Sequence, residues 1–274
     1  MIPILIYHNI INSNNSSRKT SIRQNRNSID VNSFRRQMKY LFDNKYKVVS
    51  VTEFYQKVLN NDVSEKETVV LTFDDGYTSF VFKVYPVLRE YGFNGTIFTI
   101  VNRIGRADYL RWEDLRYLRK EGIDIQSHTM SHRPLEILKD KEIRRELEFS
   151  KRRLESELKV RVDFVSLPQG SFNSKIMKMA REVGYLACLT SENELFGSKD
   201  NREYVRGRVA IIPQYNLGSF AKIINCNRYL LRRIYIISRI KAGLKRVIGL
   251  ENYLKLYTRY YRINDGIFSR KSMH

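Results

Sequence analysis

The 274-residue chain has few cysteines and no long uncharged hydrophobic run. Two cysteines, Cys188 and Cys226, provide neither a disulfide framework nor a CxxC metal site, which favours a reducing compartment. The N-terminal apolar run is too short for a signal-peptide core, and no segment approaches the roughly 20 apolar residues of a transmembrane helix. These absences predict a protein located in the cytoplasm or peripherally on the inner face of a membrane.

Basic residues are abundant and unevenly distributed. The chain has 49 Lys and Arg against 29 Asp and Glu, a net charge of +20, and its 42% hydrophobic content is ample for a packed core. Residues 221–274 contain 13 basic and 2 acidic residues. This imbalance predicts an anionic partner, such as a lipid headgroup surface, a phosphorylated carrier, an acidic glycan or nucleic acid.

Short apolar runs alternate with longer amphipathic segments over the first 212 residues. Examples are a strand at 69–73, a helix at 77–91, a strand at 123–127 and a last strand at 204–211. Nearly continuous apolar strands between helices predict an α/β fold in which a parallel sheet, closed like a barrel, is covered by helices. Polar residues follow several strands directly, and the carboxyl ends of parallel strands are where active sites form.

One candidate motif is Thr72-Phe73-Asp74-Asp75-Gly76, which places two adjacent carboxylates at the end of a strand. Successive side chains point in different directions there, so one carboxylate can bind a cation while the other accepts a proton. Asp-Gly after a strand is also common in simple turns, and this interpretation stays open.

A second motif, Ser127-His128-Thr129-Met130-Ser131-His132, has two of the four histidines in the chain. If the segment forms a helical turn, both rings share a face and can bind one metal. Two histidines and one carboxylate leave open positions on a divalent ion for water and substrate. A histidine pair of purely structural role is the alternative.

Together, TFDDG and the later SHTMSH resemble the polysaccharide deacetylase family, also described as NodB-like or carbohydrate esterase family 4. The resemblance extends over roughly residues 2–212 and implies a distorted (β/α) barrel with fewer than eight repeats. It also implies hydrolytic removal of acetyl groups from a glycan. By resemblance, Asp74 is the general base, and Asp75, His128 and His132 bind the metal, usually zinc; Co²⁺, Ni²⁺, Mn²⁺ and Fe²⁺ suit the same donors.

Pro168-Gln169-Gly170 resembles the third motif of this family, in which the residue between Pro and Gly donates its backbone N–H to the oxyanion. Gln169 keeps that N–H but lacks the aromatic ring usual at this position, so stacking of a sugar ring there is in doubt. A Pro-Gly loop without catalytic function is the alternative.

Two further matches concern His8 and Arg208. Tyr7-His8 resembles the Tyr-His of the exopolysaccharide N-deacetylase subgroup, in which this histidine is the general acid. Arg208 fits the arginine that pairs with the catalytic Asp in this family and lowers its pKa better than Arg206 does. A structural histidine at a strand end and a solvated arginine are the alternatives.

The predicted organisation is a deacetylase domain over residues 1–220 and a basic amphipathic helical tail over residues 221–274. The predicted reaction removes an N-acetyl group from a polysaccharide or lipid-linked glycan, with a cation-activated water, an Asp base and a His acid. An O-acetyl esterase and a catalytically silent protein that binds glycans or polyanions are alternatives. No nucleic-acid-binding motif is present, and nucleic acid is not expected as partner. The tail either lies along an anionic membrane or packs on the barrel.

Overall fold

A parallel sheet of nine strands forms the centre of the molecule. A computed structural model describes residues 2–12, 27–60, 67–170, 173–191 and 205–249, and also residues 252 and 256. The strands are β1 (Ile4–Tyr7), β2 (Ile10–Ile11), β3 (Ile29–Asp30), β4 (Lys47–Val49), β5 (Thr68–Phe73), β6 (Thr96–Thr99), β7 (Asp124–Ser127), β8 (Phe164–Ser166), β9 (Ala187–Thr190), β10 (Val205–Gly207) and β11 (Val209–Ala210). The order in the sheet is β10-β9-β8-β7-β6-β5-β1-β11, and β4 also pairs with β5. Strands β2 and β3 form a separate parallel pair.

Helices follow most of these strands, and their apolar faces pack against the sheet. In the first helix the buried positions Phe34, Met38 and Leu41 recur at helical spacing, and Asp30 caps its amino end. The α-helices are α1 (Val31–Asp43), α2 (Val51–Leu59), α3 (Tyr85–Glu90), α4 (Trp112–Lys120), α5 (Asp140–Leu158), α6 (Ser174–Glu182), α7 (Leu217–Ile224) and α8 (Arg228–Ile248).

The two edges of the sheet meet at Arg208. Strand β10 pairs with β9 at one edge, and β11 pairs with β1 at the other. Because Arg208 alone separates β10 from β11, the sheet must curl until its edges are adjacent. The predicted barrel-like α/β fold is therefore confirmed, but the prediction of one strand over 204–211 is wrong. That segment contributes one short strand to each edge, and residue 204 lies outside the described residues.

The segment after β5 also differs from the helix predicted over 77–91. A single π turn spans Phe80–Val84 and leads into α3, so helical structure begins later than the periodicity indicates. The preceding residues are held by another segment: Tyr77 forms an antiparallel bridge with Tyr109, and Thr78 N donates to Asp108 O. These tertiary hydrogen bonds replace the first helical turn.

The basic end of the chain begins with two helices. The predicted boundary after residue 220 falls inside α7, where Phe220 and Ile223 are fully buried. The ring of Phe220 contacts Tyr40 of α1 edge-on, with 6.0 Å between ring centroids. Helix α8 follows and packs its first turns on this core through Leu231. Among the described residues, no helix is both long and apolar enough to cross a bilayer.

Candidate active site

Residues of both predicted motifs lie at the carboxyl edge of the sheet. The parallel ladder continues one residue beyond the strands, because Asp74 N donates to Tyr7 O and His128 N donates to Thr99 O, both at 2.9 Å. These bonds fix the backbone at the end of β5 and β7. All strands of the sheet run parallel, so their carboxyl ends bring these segments together.

The turn after β5 places the two carboxylates differently. Asp75 and Gly76 both have positive φ, +75° and +77°. At Gly76 a Cβ atom would lie 2.5 Å from Thr99 Oγ1, so only glycine fits here. This tight turn leaves Asp74 and Asp75 both buried but with different neighbours.

The second motif forms a loop and not the helical turn that would place both rings on one face. We call residues 128–132 the His loop. Thr129 and His132 both have φ of +64°, which a right-handed helix cannot contain. The loop nevertheless brings the two rings together, with centroids 4.7 Å apart. Asp75 Oδ1 lies 3.6 Å from His128 Nε2 and 3.4 Å from His132 Nε2.

Asp75, His128 and His132 fit a divalent metal ion. One ligand atom from each lies within 4.8 Å of the others. His128 Nδ1 lies 2.7 Å from Ser166 O, and this contact to a carbonyl requires the proton on Nδ1 and leaves the Nε2 lone pair for a cation. Asp75 Oδ1 is buried without a hydrogen-bond partner, and a cation would satisfy it.

Asp74 is clamped by Arg208. The guanidinium donates from Nη1 to Asp74 Oδ1 and from Nη2 to Oδ2, both at 2.8 Å. Ser166 Oγ donates to Asp74 Oδ2 at 3.0 Å and accepts from Arg208 Nη2. Arg208 is only 1% exposed, so this is a buried bidentate pair rather than a solvated arginine.

The same contacts keep Asp74 ionised. Burial alone would raise the pKa of Asp74, but Arg208, through its charge and hydrogen bonds, and His128 together hold it well below its ordinary range. The pKa of Asp75 is also lowered, since the nearby His8, His128 and His132 outweigh the effect of burial. Both carboxylates are therefore anionic at neutral pH.

His8 follows β1 and faces both carboxylates. Burial lowers the pKa of His8, and the charges of Asp75 and Asp74 partly oppose this effect. Its Nδ1 atom is buried without a hydrogen-bond partner. The structure thus places His8 close enough to the acidic pair for both charges to act on its ring.

Pro168-Gln169-Gly170 follows β8, the strand whose Ser166 contacts Asp74. Gln169 has φ of +59° and is partly exposed, while Pro168 and Gly170 are buried. This non-glycine residue in the left-handed region indicates a backbone fixed by its surroundings. The next two residues of the motif, 171 and 172, lie outside the described residues.

Sequence reasoning missed the residue that supports the His loop. Glu146 of α5 is buried, and its Oε2 accepts from Met130 N at 3.0 Å and from Ser131 N at 2.8 Å. Its Oε1 accepts from Ser131 Oγ. A carboxylate that binds two adjacent backbone amides stabilises the left-handed residues on either side of them. A glutamate in a long charged helix gives no local signal of this function.

We expect Glu146→Gln to weaken zinc binding by about tenfold to a hundredfold, because an amide places an N–H group where the loop needs a second acceptor. Titration of the metal-free protein with Zn²⁺ measures this effect. Glu148→Gln, on the same helix and paired with Arg152, is the matched control and should bind zinc normally. Equal affinities for the two variants would remove Glu146 from this role.

Comparison with known proteins identifies the family. A family model described as polysaccharide deacetylase matches residues 61–188. YxkH of Bacillus subtilis strain 168, which is named as a polysaccharide deacetylase, is 31% identical to this chain over 223 residues. These residues cover 81% of this chain and 76% of YxkH. The chain belongs to the polysaccharide deacetylase family. The resemblance seen in TFDDG and SHTMSH is confirmed.

Two other relatives extend this result. The deacetylase PplD of Streptococcus pyogenes, solved in complex with acetate, has a TM-score of 0.72 at 26% identity, over 81% of this chain and 97% of that one. A peptidoglycan-N-acetylglucosamine deacetylase of Bacillus cereus is 30% identical over 129 residues, 47% of this chain and 58% of the relative. The fold and the deacetylase class thus agree with the polysaccharide deacetylase family.

Proposed function

We propose that the chain is a metal-dependent N-deacetylase, which removes acetyl groups from an N-acetylhexosamine in a polysaccharide or lipid-linked glycan. The observation that carries this proposal is the convergence of Asp75, His128 and His132 beside an Asp74 that Arg208 holds ionised. The names of two relatives, a peptidoglycan-N-acetylglucosamine deacetylase and a deacetylase solved with acetate, support the choice of an acetylated glycan.

In this proposal each residue has a separate task. A divalent cation held by Asp75, His128 and His132, most simply Zn²⁺, supplies Lewis acidity toward the acetyl carbonyl and the attacking water. Asp74 accepts the proton of that water, in an orientation fixed by Arg208. The Gln169 N–H, between Pro168 and Gly170, donates to the oxyanion as the carbonyl becomes tetrahedral.

His8 completes the reaction as the proton donor. An amine leaves poorly as an anion, so its nitrogen must gain a proton while the carbon–nitrogen bond breaks. A lowered pKa makes the imidazolium of His8 a stronger acid, and the charges of Asp75 and Asp74 favour its protonated form. The products are acetate and a free amino sugar.

Acetate release from a panel of N-acetylated and O-acetylated glycans tests the function. We expect release from N-acetylglucosamine oligomers, loss of activity after treatment with a chelator, and recovery after addition of Zn²⁺. Parallel titrations with Co²⁺, Ni²⁺, Mn²⁺ and Fe²⁺ identify the preferred metal. Release from O-acetylated glycans alone would favour the esterase. Salt-dependent retention on a polyanion without any acetate release would favour a silent binding protein.

We further propose that α8 binds an anionic membrane surface. The helix contains seven basic and no acidic residues. Beyond its packed first turns, five large apolar side chains lie on one face, at a spacing close to the helical repeat, and are 41–83% exposed. They are Ile236, Ile237, Ile240, Leu244 and Val247. An apolar face on a basic helix is typical of helices that lie in a lipid headgroup region.

Sedimentation with vesicles tests this proposal. The 274-residue protein should bind vesicles of phosphatidylglycerol and phosphatidylcholine, and bind phosphatidylcholine alone much more weakly. Ile240→Asp should reduce binding to the anionic vesicles by about tenfold, because a charge enters the apolar face. Ile137→Asp, the same change at another exposed isoleucine outside the helix, is the control. Unchanged binding of the Ile240→Asp variant would show that the apolar face of α8 does not bind lipid. The helix would then simply have a charged outer face.

A further inference from the structure

One loop connects both halves of the candidate metal site. We call residues 101–111, between β6 and α4, the rim loop. Its backbone is hydrogen-bonded at its start to the His loop and at its end to the turn after Asp75. The bonds run from Val101 N to Thr129 O, Asn102 N to Met130 O, Leu110 N to Gly76 O, and Thr78 N to Asp108 O. The rim loop therefore borders the site at the carboxyl edge of the sheet.

An aromatic pair, formed by one residue of this loop and one from the turn after Asp75, lies next to the proposed metal ligands. Tyr109 stacks on Tyr77 with ring centroids 5.1 Å apart and an interplanar angle of 24°. Tyr77 is two residues beyond Asp75, so their Cα atoms are at most about 8 Å apart. Tyr109 is partly exposed. A sugar attached to the acetylated residue would come within reach of the exposed part of this ring, which can pack against the apolar face of a pyranose.

Arg103 is held against the same ring. Its guanidinium carbon lies 5.2 Å from the Tyr109 ring centroid, and Nη1 donates to Tyr109 OH at 2.6 Å. Within the described parts of the chain no carboxylate lies within ion-pair distance of Arg103. Five arginines of the described helices do have such a partner, among them Arg116 and Arg144.

The rim loop therefore presents a partly buried guanidinium, fixed in position and without a compensating anion. The loop contains three arginines and one aspartate, so it is basic as a whole. A planar guanidinium binds a carboxylate through two parallel hydrogen bonds, and an ordered arginine loses little freedom when it does so. The exposed part of the adjacent Tyr109 ring provides an apolar contact for the sugar that carries the carboxylate.

We infer that Arg103 and Tyr109 form a subsite for an acidic sugar, one that carries a carboxylate and lies next to the acetylated residue. This inference rests on the proposed function, since it places a neighbouring unit of the same glycan. It names the substrate class as an anionic polysaccharide, in which an N-acetylated sugar and a uronic acid are neighbours. It also assigns a specific function, the binding of a carboxylate, to one basic residue of a protein whose net charge is +20.

Binding of two oligosaccharides to the metal-loaded protein tests the inference. The probes are a hyaluronan tetrasaccharide, in which N-acetylglucosamine alternates with glucuronate, and neutral chitotetraose. Calorimetry should show at least about tenfold tighter binding of the hyaluronan tetrasaccharide, as expected for charge-assisted hydrogen bonds. Arg103→Gln should remove this preference and leave the affinity for chitotetraose within about twofold.

Two controls separate a specific site from general charge and from folding. Arg106→Gln removes an exposed charge from the same loop and should keep the preference. Tyr109→Phe keeps the ring and removes the hydroxyl that Arg103 binds, so it should weaken the preference without loss of folding. Equal loss of both oligosaccharides in Arg103→Gln, equal effects of the two arginine variants, or no preference in the natural protein would overturn the inference.

The two proposals fail in different ways. If the natural protein prefers the acidic tetrasaccharide but no glycan releases acetate, the proposed reaction is wrong and the subsite stands. If acetate is released from neutral and acidic glycans alike, and binding shows no preference for charge, the reaction stands and the subsite is wrong.

Discussion

Asp74→Asn is expected to reduce acetate release by about a thousandfold, within the range that a general base contributes. An amide has nearly the volume of a carboxylate but cannot accept the proton of the attacking water. Asp75, His128 and His132 are unchanged in this variant, so Zn²⁺ titration should give an affinity close to that of the natural protein. Loss of activity with metal binding retained is the signature of a missing base.

Asp124→Asn provides a matched control for this experiment. Asp124 is partly buried and lies at the amino end of β7, where it accepts from Thr96 Oγ1 and Gln126 Nε2. Burial raises the pKa of Asp124, whereas at Asp74 the effect of burial is outweighed by Arg208 and His128 and the pKa is lowered. We expect its amide variant to release acetate at nearly the natural rate. Full activity in Asp74→Asn would show that another group is the base.

Arg208→Met should lower the free energy of unfolding by about 3–5 kcal/mol at neutral pH, because it leaves the buried carboxylate of Asp74 without its partner. Chemical denaturation at several pH values, with chelator present for both proteins, measures this difference. Arg161→Met is the control, since Arg161 is exposed and pairs with Asp163 at the surface. It should change stability by less than about 1 kcal/mol.

The pH dependence identifies the cause. In the natural protein the pKa of Asp74 lies below its unfolded value of about 3.9, so its ionisation stabilises the fold above that pH and stops doing so as the pH falls. Without Arg208, burial would raise the pKa of Asp74 above the unfolded value, and ionisation would then oppose folding. The deficit of Arg208→Met should therefore be largest near neutral pH and shrink below about pH 4.

A double variant completes the argument. If an uncompensated charge causes the loss, Asp74→Asn in the Arg208→Met background should restore part of the stability, since the buried charge is gone. A constant deficit at every pH, and no recovery in the double variant, would attribute the loss to packing instead. The guanidinium carbon of Arg208 lies 5.1 Å from the centroid of the Phe98 ring. Loss of this packing is therefore the alternative cause of the lower stability.

From the sequence, the polar residues at the centre of this site could be predicted better than the residues that hold them in place. Asp74, Asp75, His128 and His132 stand out because strand-end polar residues in a parallel sheet converge, and the structure brings them together. The conformation of the His loop could not be predicted in this way. Its left-handed residues are supported by Glu146, a residue distant in sequence, and no local periodicity reports such a contact.

Contacts between residues distant in sequence also explain the other differences between prediction and structure. Ser166 occupies a buried strand position, where a serine is not unusual. It reaches Asp74 because the sheet is curled, although β6 and β7 lie between β5 and β8 in the strand order. The apolar pattern over 204–211 is compatible with one strand, yet Arg208 divides it because the two sheet edges need separate partners. In both cases contacts between distant segments determined the structure, and local sequence preferences could not predict them.

The position of Arg208 at the junction of the sheet edges has a consequence for how the protein matures. Pairing of Leu5 with Val209 joins residues about 200 positions apart, the kind of contact that forms slowly and late in folding. Asp74 gains its bidentate partner only when that junction forms. During synthesis the chain must emerge past residue 210 before Asp74 can acquire its lowered pKa. The sheet is thus completed in the same step in which Asp74 acquires its lowered pKa. A folding intermediate that lacks the junction would therefore be inactive.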